Sequence, residues 1–276
     1  MHWNEIRDPI HGFIRYNDFE KEIINHPCFQ RLRRIRQLAL TDMVYPGAQH
    51  TRFEHSIGVM HLASRIFDSI VSDKKNMEFL HKKFGFVKAG IEKDRQLIRI
   101  AALLHDIGHG PFSHGSEKCF PVNTKTSDRY SHEDYSVAII RKILKDTIEG
   151  NQFNRNNCDI RADDIADFIA GNPTNLGDRI FWKTLISSQL DADRGDYLLR
   201  DSYHIGVKYG VYDLDRLIVT ITLGVEPEAK SLILGVHEDG WHVAESLIFA
   251  RYQIYSQIVL HKKRRAYDLM LRSEER

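Results

Sequence analysis

Cysteine is scarce in this 276-residue chain: Cys28, Cys119 and Cys158 are odd in number and share no CxxC spacing. That argues against a disulfide framework and against a thiolate zinc site, and it fits a reducing, cytoplasmic setting. Charge of one sign is also missing. Lys and Arg total 39 against 38 Asp and Glu, a net +1, so composition points to neither nucleic acid nor an anionic membrane as partner. Any anion binding must be local. No apolar run approaches membrane-spanning length, and the opening residues through Asp8 lack the apolar core of a signal peptide. No internal repeat or low-complexity tract is present. The length suffices for one large domain or two small ones with a real core.

What the chain does have is histidine, fifteen in all. The segment Ala101–His114 reads AALLHDIGHGPFSH, an apolar helix that runs into an adjacent His105–Asp106 pair, breaks at Gly108, and adds His109 and His114. Alone, such a pair is a helix C-cap followed by a turn. An imidazole beside a carboxylate also suits a divalent cation, and the rest of the chain decides between these readings.

Residues 5–16 read as a small hairpin or irregular lead-in, punctuated by Asp8-Pro and His11-Gly. From Asp18 to Leu40 the spacing predicts helix broken near Pro27, with Arg31, Arg33, Arg34 and Arg36 on the second piece, either a solvated face or phosphate-facing. Phe53 opens a helix whose core stripe is Val59, Ala63, Ile66 and Ile70; His55 shares that stripe near the helix start. A lysine-rich surface helix and loop follow over 72–94, and then the helix into His105, whose stripe includes Ile98 and Ala102. Ser131, three before Asp134, is an N-cap signature that places His132 and Glu133 in a first helical turn. Helical pattern continues over 162–170 and 179–203. In the latter, Asp193, Tyr197 and Asp201 repeat every four residues on one face with Leu190. The neighbouring leucines bury that helix, so its acids need partners: an ion-pair network, or a cation with a polar substrate.

After Gly206, Leu217–Leu223, Ser231–Val236 and the Trp241 segment read as two or three antiparallel strands with a turn at Asp239-Gly240, before a helix from Ala244 toward Leu271. The expectation is a mainly α chain, a helical bundle over 1–205, with a small β appendage and C-terminal helix over 206–276.

His55, His105, Asp106 and Asp193 each fall on a core-facing stripe. Two imidazoles with two carboxylates suit one divalent ion, among Fe, Mn, Zn, Ni, Co or Mg, and leave positions for water and a phosphate oxygen. His109, His114 and His132 can move protons, Glu117 and Glu133 can orient them, and Arg52 and Arg194 can clamp phosphate.

His…His-Asp…Asp in this order resembles the HD-domain phosphohydrolase superfamily. Arg52-Phe-Glu-His55-Ser, the His105–His114 segment, Ser131-His132-Glu133 and the Asp193–Asp201 segment resemble its deoxynucleoside triphosphate (dNTP) triphosphohydrolase branch, including the core of the animal SAM-and-HD-domain enzyme, over about residues 5–205. The resemblance implies an HD-domain helical bundle. It implies hydrolysis of a dNTP to deoxynucleoside and triphosphate by water attack at the α-phosphorus. His55, His105, Asp106 and Asp193 would hold the metal. His109, His132 and Glu133 would serve catalysis, and His114 would sit beside the α-phosphate, with Glu117 as a partner. Arg52 and Arg194 would contact phosphates. Gln37 and the Leu38 backbone would meet the sugar, whose site Tyr197 and Asp201 would line. A homo-oligomer is also implied.

Some relatives use a guanine nucleotide activator read by a carboxylate. Asn25 stands there and argues against one, although Gln30 and Arg33 keep the pattern. The stop soon after Arg264 suggests a short form or a fragment. The alternatives are an HD phosphohydrolase for a monophosphate, cyclic nucleotide or alarmone, and a non-catalytic nucleotide- or nucleic-acid-binding module. An intact set of acids and imidazoles speaks against the module.

Overall fold

The chain opens with a hairpin, β1 (Trp3–Asp8) and β2 (Gly12–Asn17), paired antiparallel with Trp3 opposite Asn17 and Asp8 opposite Gly12. The computed structural model describes residues 3–124, 126–226, 228 and 231–273. Asn17 then caps α1 (Asp18–Asn25) in a capping box with Glu20. Next come α2 (Pro27–Gln30), α3 (Arg52–Ser72), α4 (Lys74–Phe84) and α5 (Lys88–Leu104). They are followed by α6 (His132–Lys142), α7 (Lys145–Gly150), α8 (Gln152–Asn157), α9 (Ala162–Ala170) and α10 (Ala192–Ile205). The last part holds α11 (Leu214–Thr220), the antiparallel pair β3 (Ile221–Val225) and β4 (Leu232–Val236), α12 (Trp241–Ile254) and α13 (Lys262–Ser273). The fold is mainly α. No helix among the described residues is long and apolar enough to cross a membrane.

Helix α3 is the axis. Its predicted stripe Val59, Ala63, Ile66 and Ile70 is buried, and α5, α10, α11 and β3 pack around it. Residues from α1 through the β3–β4 pair and α12 contribute to one apolar cluster, with Ile57, Leu104, Leu217 and Leu247 among its buried members. Burying Leu217 and Ile218 favours helix over the strand that the β-branched run Leu217–Leu223 suggests. Asp213 caps that helix through Arg216 N–H, and the strand starts only at Ile221. The Trp241 segment is likewise the first turn of α12, and Asp239-Gly240 lies in the 3-10 turn leading into it instead of closing a hairpin. The helical pattern over 179–203 divides into a 3-10 stretch, Gly177–Leu185, and α10, because Asp191 caps a new start through Arg194 N–H. The helix expected toward Leu40 ends as a 3-10 turn at Arg34.

A half-buried base on α3 makes stability depend on pH. His61 is pulled down to about 4 by burial and by the nearby charges of His11, Arg65 and Arg99, against Asp8, which raises it. The folded state therefore resists a proton that the unfolded chain accepts near pH 6.5. Its contribution is complete above that value and is lost as pH falls from about 6.5 through about 4. Urea midpoints measured across this window should fall on acidification. His61→Leu should make the decline shallower by on the order of 2 kcal/mol. An unchanged slope would remove His61 as the cause.

Candidate active site

Three segments converge. α3 brings His55 near its N-terminus, the turn that ends α5 brings His105 and Asp106, and the first turn of α10 brings Asp193. His55 Nε2 stands 3.0 Å from Asp193 Oδ1 and 3.6 Å from Asp106 Oδ2. His105 Nε2 stands 3.5 Å from Asp106 Oδ1 and 3.8 Å from Asp193 Oδ1. Both Nε2 atoms are buried and lack a hydrogen-bond partner. Donors about 2.0–2.2 Å from a common ion lie about 3–4 Å apart, so His55, His105 and Asp106 fit one divalent cation, with Asp193 close to both imidazoles. The orphaned nitrogens are what such a site would leave. His105 donates through Nδ1–H to the Ala102 carbonyl, 2.7 Å away, which frees Nε2.

The electrostatics are strongly coupled. Burial pushes Asp106 up, but Arg52, His105 and His109 outweigh it and hold the carboxyl well below the usual range. Burial lowers His55, yet the Asp193 and Asp196 carboxylates beside it carry it up to about 10. His105 is raised as well, Asp106 and Asp193 prevailing over burial. His109 goes the other way, down to about 3, through burial and then Arg52.

A second cluster stands beside the first. Glu117 Oε1 accepts from His132 Nδ1 at 2.6 Å and His114 Nδ1 at 2.9 Å, and lies 3.8 Å from His109 Nδ1. His109 and His132 stack with centroids 3.9 Å apart, and His114 meets His109 edge-on. Burial works against the Glu117 charge, but His114 and His132 hold it ionised. His109 also touches the first cluster, 3.4 Å from Asp106 Oδ1.

Local sequence explains the placement. Gly108 lets the start of α6 rest on the His-Asp turn, since a Cβ there would stand 2.0 Å from the His132 carbonyl oxygen. Ser136 Oγ ties the two by accepting from Gly108 N–H and donating to the His105 carbonyl, each at 2.9 Å. Phe112 and Ser113 both adopt left-handed backbone, φ 64° and 51°, the strained geometry that clusters at functional loops. The result aims Ser113 Oγ at Arg52 Nε, 3.0 Å away.

A cavity of about 390 Å³ opens over these groups. Gln37, Leu38, Arg52, Tyr197 and Asp201 line it, as do His105, Asp106 and Asp193. His114, His132 and Glu133 reach it from the second cluster, whereas His55 and His109 lie buried behind. Arg52 is committed to Asp106 as well as to Ser113. Asp201 accepts from His50 Nε2 at 2.8 Å. Arg194 does not line the cavity. It pairs with Asp191 at 2.5 Å, three residues back on the same turn. Of the early arginines, Arg31 donates to the carbonyls of Ile107 and His109, and Arg33 stacks on Phe53. These are structural uses.

Sequence reasoning missed several cavity groups: Lys183 from the 3-10 stretch, Arg251 from α12, Tyr255 after it, and Arg264 from α13. No periodicity marks them, because each is one polar residue on an element read for its apolar face. A five-residue π-helix at Tyr255–Val259 turns Tyr255 and Val259 toward the cavity, as such bulges do at functional sites.

The chain is similar to several known proteins. Residues 52–179 match the family model of the HD domain. The chain is 36% identical over 266 residues to the Bacillus subtilis protein YwfO, covering 96% of this chain and 53% of that one. It is 32% identical over 270 residues to the deoxynucleoside triphosphate triphosphohydrolase SAMHD1 homolog of Dictyostelium discoideum, covering 96% and 48%. A phosphohydrolase from Bacteroides thetaiotaomicron superimposes with TM-score 0.75 at 32% identity, over 99% of this chain and 60% of that one. The chain thus spans about half the length of these curated relatives. His55, His105 and Asp106 lie inside the matched residues and Asp193 just beyond them, and residues 52–179 are identified as an HD domain.

Proposed function

We propose that the chain is a divalent-metal-dependent phosphohydrolase whose substrates are dNTPs, cleaved to deoxynucleoside and triphosphate. One observation carries the reading: two buried, unpartnered imidazole nitrogens and two carboxylates meet at the floor of a cavity whose walls carry Lys183 and Arg251, cations with no carboxylate partner among the described residues. A cation joined to positive walls calls for a ligand of several negative charges.

His55, His105, Asp106 and Asp193 would hold the ion, with Mn, Fe, Zn, Ni, Co or Mg all compatible with the donor set. When bound, it would polarise a phosphoryl oxygen and make a coordinated water acidic near neutral pH. Arg52, Lys183, Arg251 and Arg264 would hold the phosphate chain, while Gln37, Leu38, Tyr197 and Asp201 would meet the sugar. Glu117 fixes Nδ1–H on His114 and His132, so each points Nε2 away from it. A protonated His114 or His132 could then hand a proton to the departing sugar oxygen. Neutral His109, stacked on His132, and Glu133 at the cavity edge could return it. Arg194 is left out because Asp191 holds it, and Asn25 argues against guanine activation.

Purified protein incubated with the four dNTPs and Mn²⁺ or Mg²⁺ should release triphosphate and nucleoside, and chelation should stop it. Phosphate or pyrophosphate in place of triphosphate would assign a different nucleotide reaction to the same centre. Unchanged turnover after exhaustive chelation would overturn the metal mechanism, and binding without turnover of any nucleotide would favour a sensing module.

A further inference from the structure

Behind the candidate metal ligands lies a carboxylate that does not line the cavity. Asp196 is fully buried on α10, one turn after Asp193. Its Oδ2 accepts from His55 Nδ1 at 2.8 Å and from Arg200 Nε at 2.8 Å. Its Oδ1 contacts His11 Nε2 at 2.7 Å and accepts from Arg200 Nη2 at 2.8 Å. Arg200 donates further to Asp8 Oδ2 at 2.8 Å, and Asp8 Oδ1 receives the backbone N–H groups of Ile10 and His11. Every acceptor of Asp196 is thereby used, and the tip of the β1–β2 hairpin is fastened to α10.

We infer that Asp196 is a positioning residue for the metal centre: it holds His55 with Nδ1 protonated, so that Nε2 alone presents a lone pair to the cation, and His11 with Arg200 holds Asp196. This rests on the reading of His55 as a metal ligand.

Three observations point the same way. A carboxylate at 2.8 Å dictates which ring nitrogen carries the proton. The other nitrogen, His55 Nε2, is buried with no hydrogen-bond partner and faces Asp106 and Asp193. Finally, α3 leaves room for the carboxylate: Gly58 lies next to it, and a Cβ there would stand 2.0 Å from Asp196 Oδ1 and 2.4 Å from Arg200 Nη2. A structural ion pair between Asp196 and Arg200 would share this clearance but would not need the histidine contact. Carboxylates behind ligating histidines fix ring orientation and raise ligand basicity, and their loss commonly weakens metal binding ~10- to 100-fold.

The test measures Mn²⁺ affinity by competition with a chelator of known strength, alongside the melting temperature of the metal-free protein. Asp196→Asn takes away the acceptor shared with Arg200. Gly58→Ala keeps every charge and displaces the carboxylate. His55→Ala is the ligand control. Both variants should bind Mn²⁺ ~10- to 100-fold more weakly, while His55→Ala loses at least as much. If they bind Mn²⁺ like the parent, melt lower, and His55→Ala still loses the ion, then Asp196 is merely structural and the inference fails alone. If His55→Ala binds Mn²⁺ normally, the ligand reading fails and takes the inference with it. Should Asp196→Asn give no cooperative melt, Gly58→Ala decides by the same two criteria.

Discussion

His105→Ala and Asp106→Asn are expected to abolish retention of a stoichiometric divalent ion and to lower nucleotide turnover by on the order of 10³-fold or more, because each removes a donor that the remaining three cannot replace. The fold should survive both. His105 is the C-cap of α5 with its side chain reaching the cavity, so truncation opens space toward solvent and leaves no internal void. Asparagine at 106 still offers an oxygen to the buried Arg52 guanidinium, which alanine would strand. Metal content after dialysis, initial rates and far-ultraviolet circular dichroism read the three consequences separately. Substantial turnover by either variant, in protein whose helical signal is intact, would end the proposal that this pair holds the cation.

The largest loss of stability should come from a different buried pair. Arg99 on α5 donates through Nε to Glu20 Oε1 at 2.5 Å and through Nη2 to Oε2 at 2.7 Å. It also reaches Ser64 on α3 and the Arg15 carbonyl on β2. Glu20 is fully buried and closes the cap of α1, while Gln96 adds a further donor at 3.0 Å. Arg99→Met would leave an ionised carboxylate in the core with two weaker donors. Breaking such a pair from one side costs about 3–5 kcal/mol, which for a chain of this size lowers the melting temperature by roughly 6–20 °C. Adding Glu20→Gln to Arg99→Met should restore part of the loss, since the stranded charge is then gone. Strict additivity of the two changes would show that the pair is not coupled in the way the geometry implies.

Much of this architecture could be read from the residues. The α3 stripe, the Ser131 cap of α6, the hairpin lead-in and the helix over 162–170 follow local rules, and the structure obeys them. The convergence of His55, His105, Asp106 and Asp193 follows from each sitting on an inward stripe. Local rules failed where a longer-range contact outweighed them. The Leu217–Thr220 residues favour strand by type, yet docking on α3 makes them helix. Trp241 has an aromatic, strand-like neighbourhood, but Gly240 and the preceding turn start α12 there. Within α10, attention to the Asp193–Tyr197–Asp201 row hid Asp196 and Arg200, an i,i+4 pair on the adjacent face that looks like any surface ion pair in one dimension. Burial is what gives that pair its meaning, and no window of sequence displays it. Arg194 shows the converse. A cation next to a candidate ligand suggested phosphate, while its nearest acid, Asp191, already holds it.

The fastening of His11 and Asp8 to α10 bridges 185 and 192 positions of sequence. On a ribosome adding ~5–20 residues per second, the hairpin waits on the order of ten to forty seconds for its counterpart to be made. Throughout that interval Ile14 has no completed core to enter. The nascent hairpin therefore has a long need of protection, and early arrest of synthesis should yield chaperone-dependent, protease-sensitive intermediates until α10 has emerged.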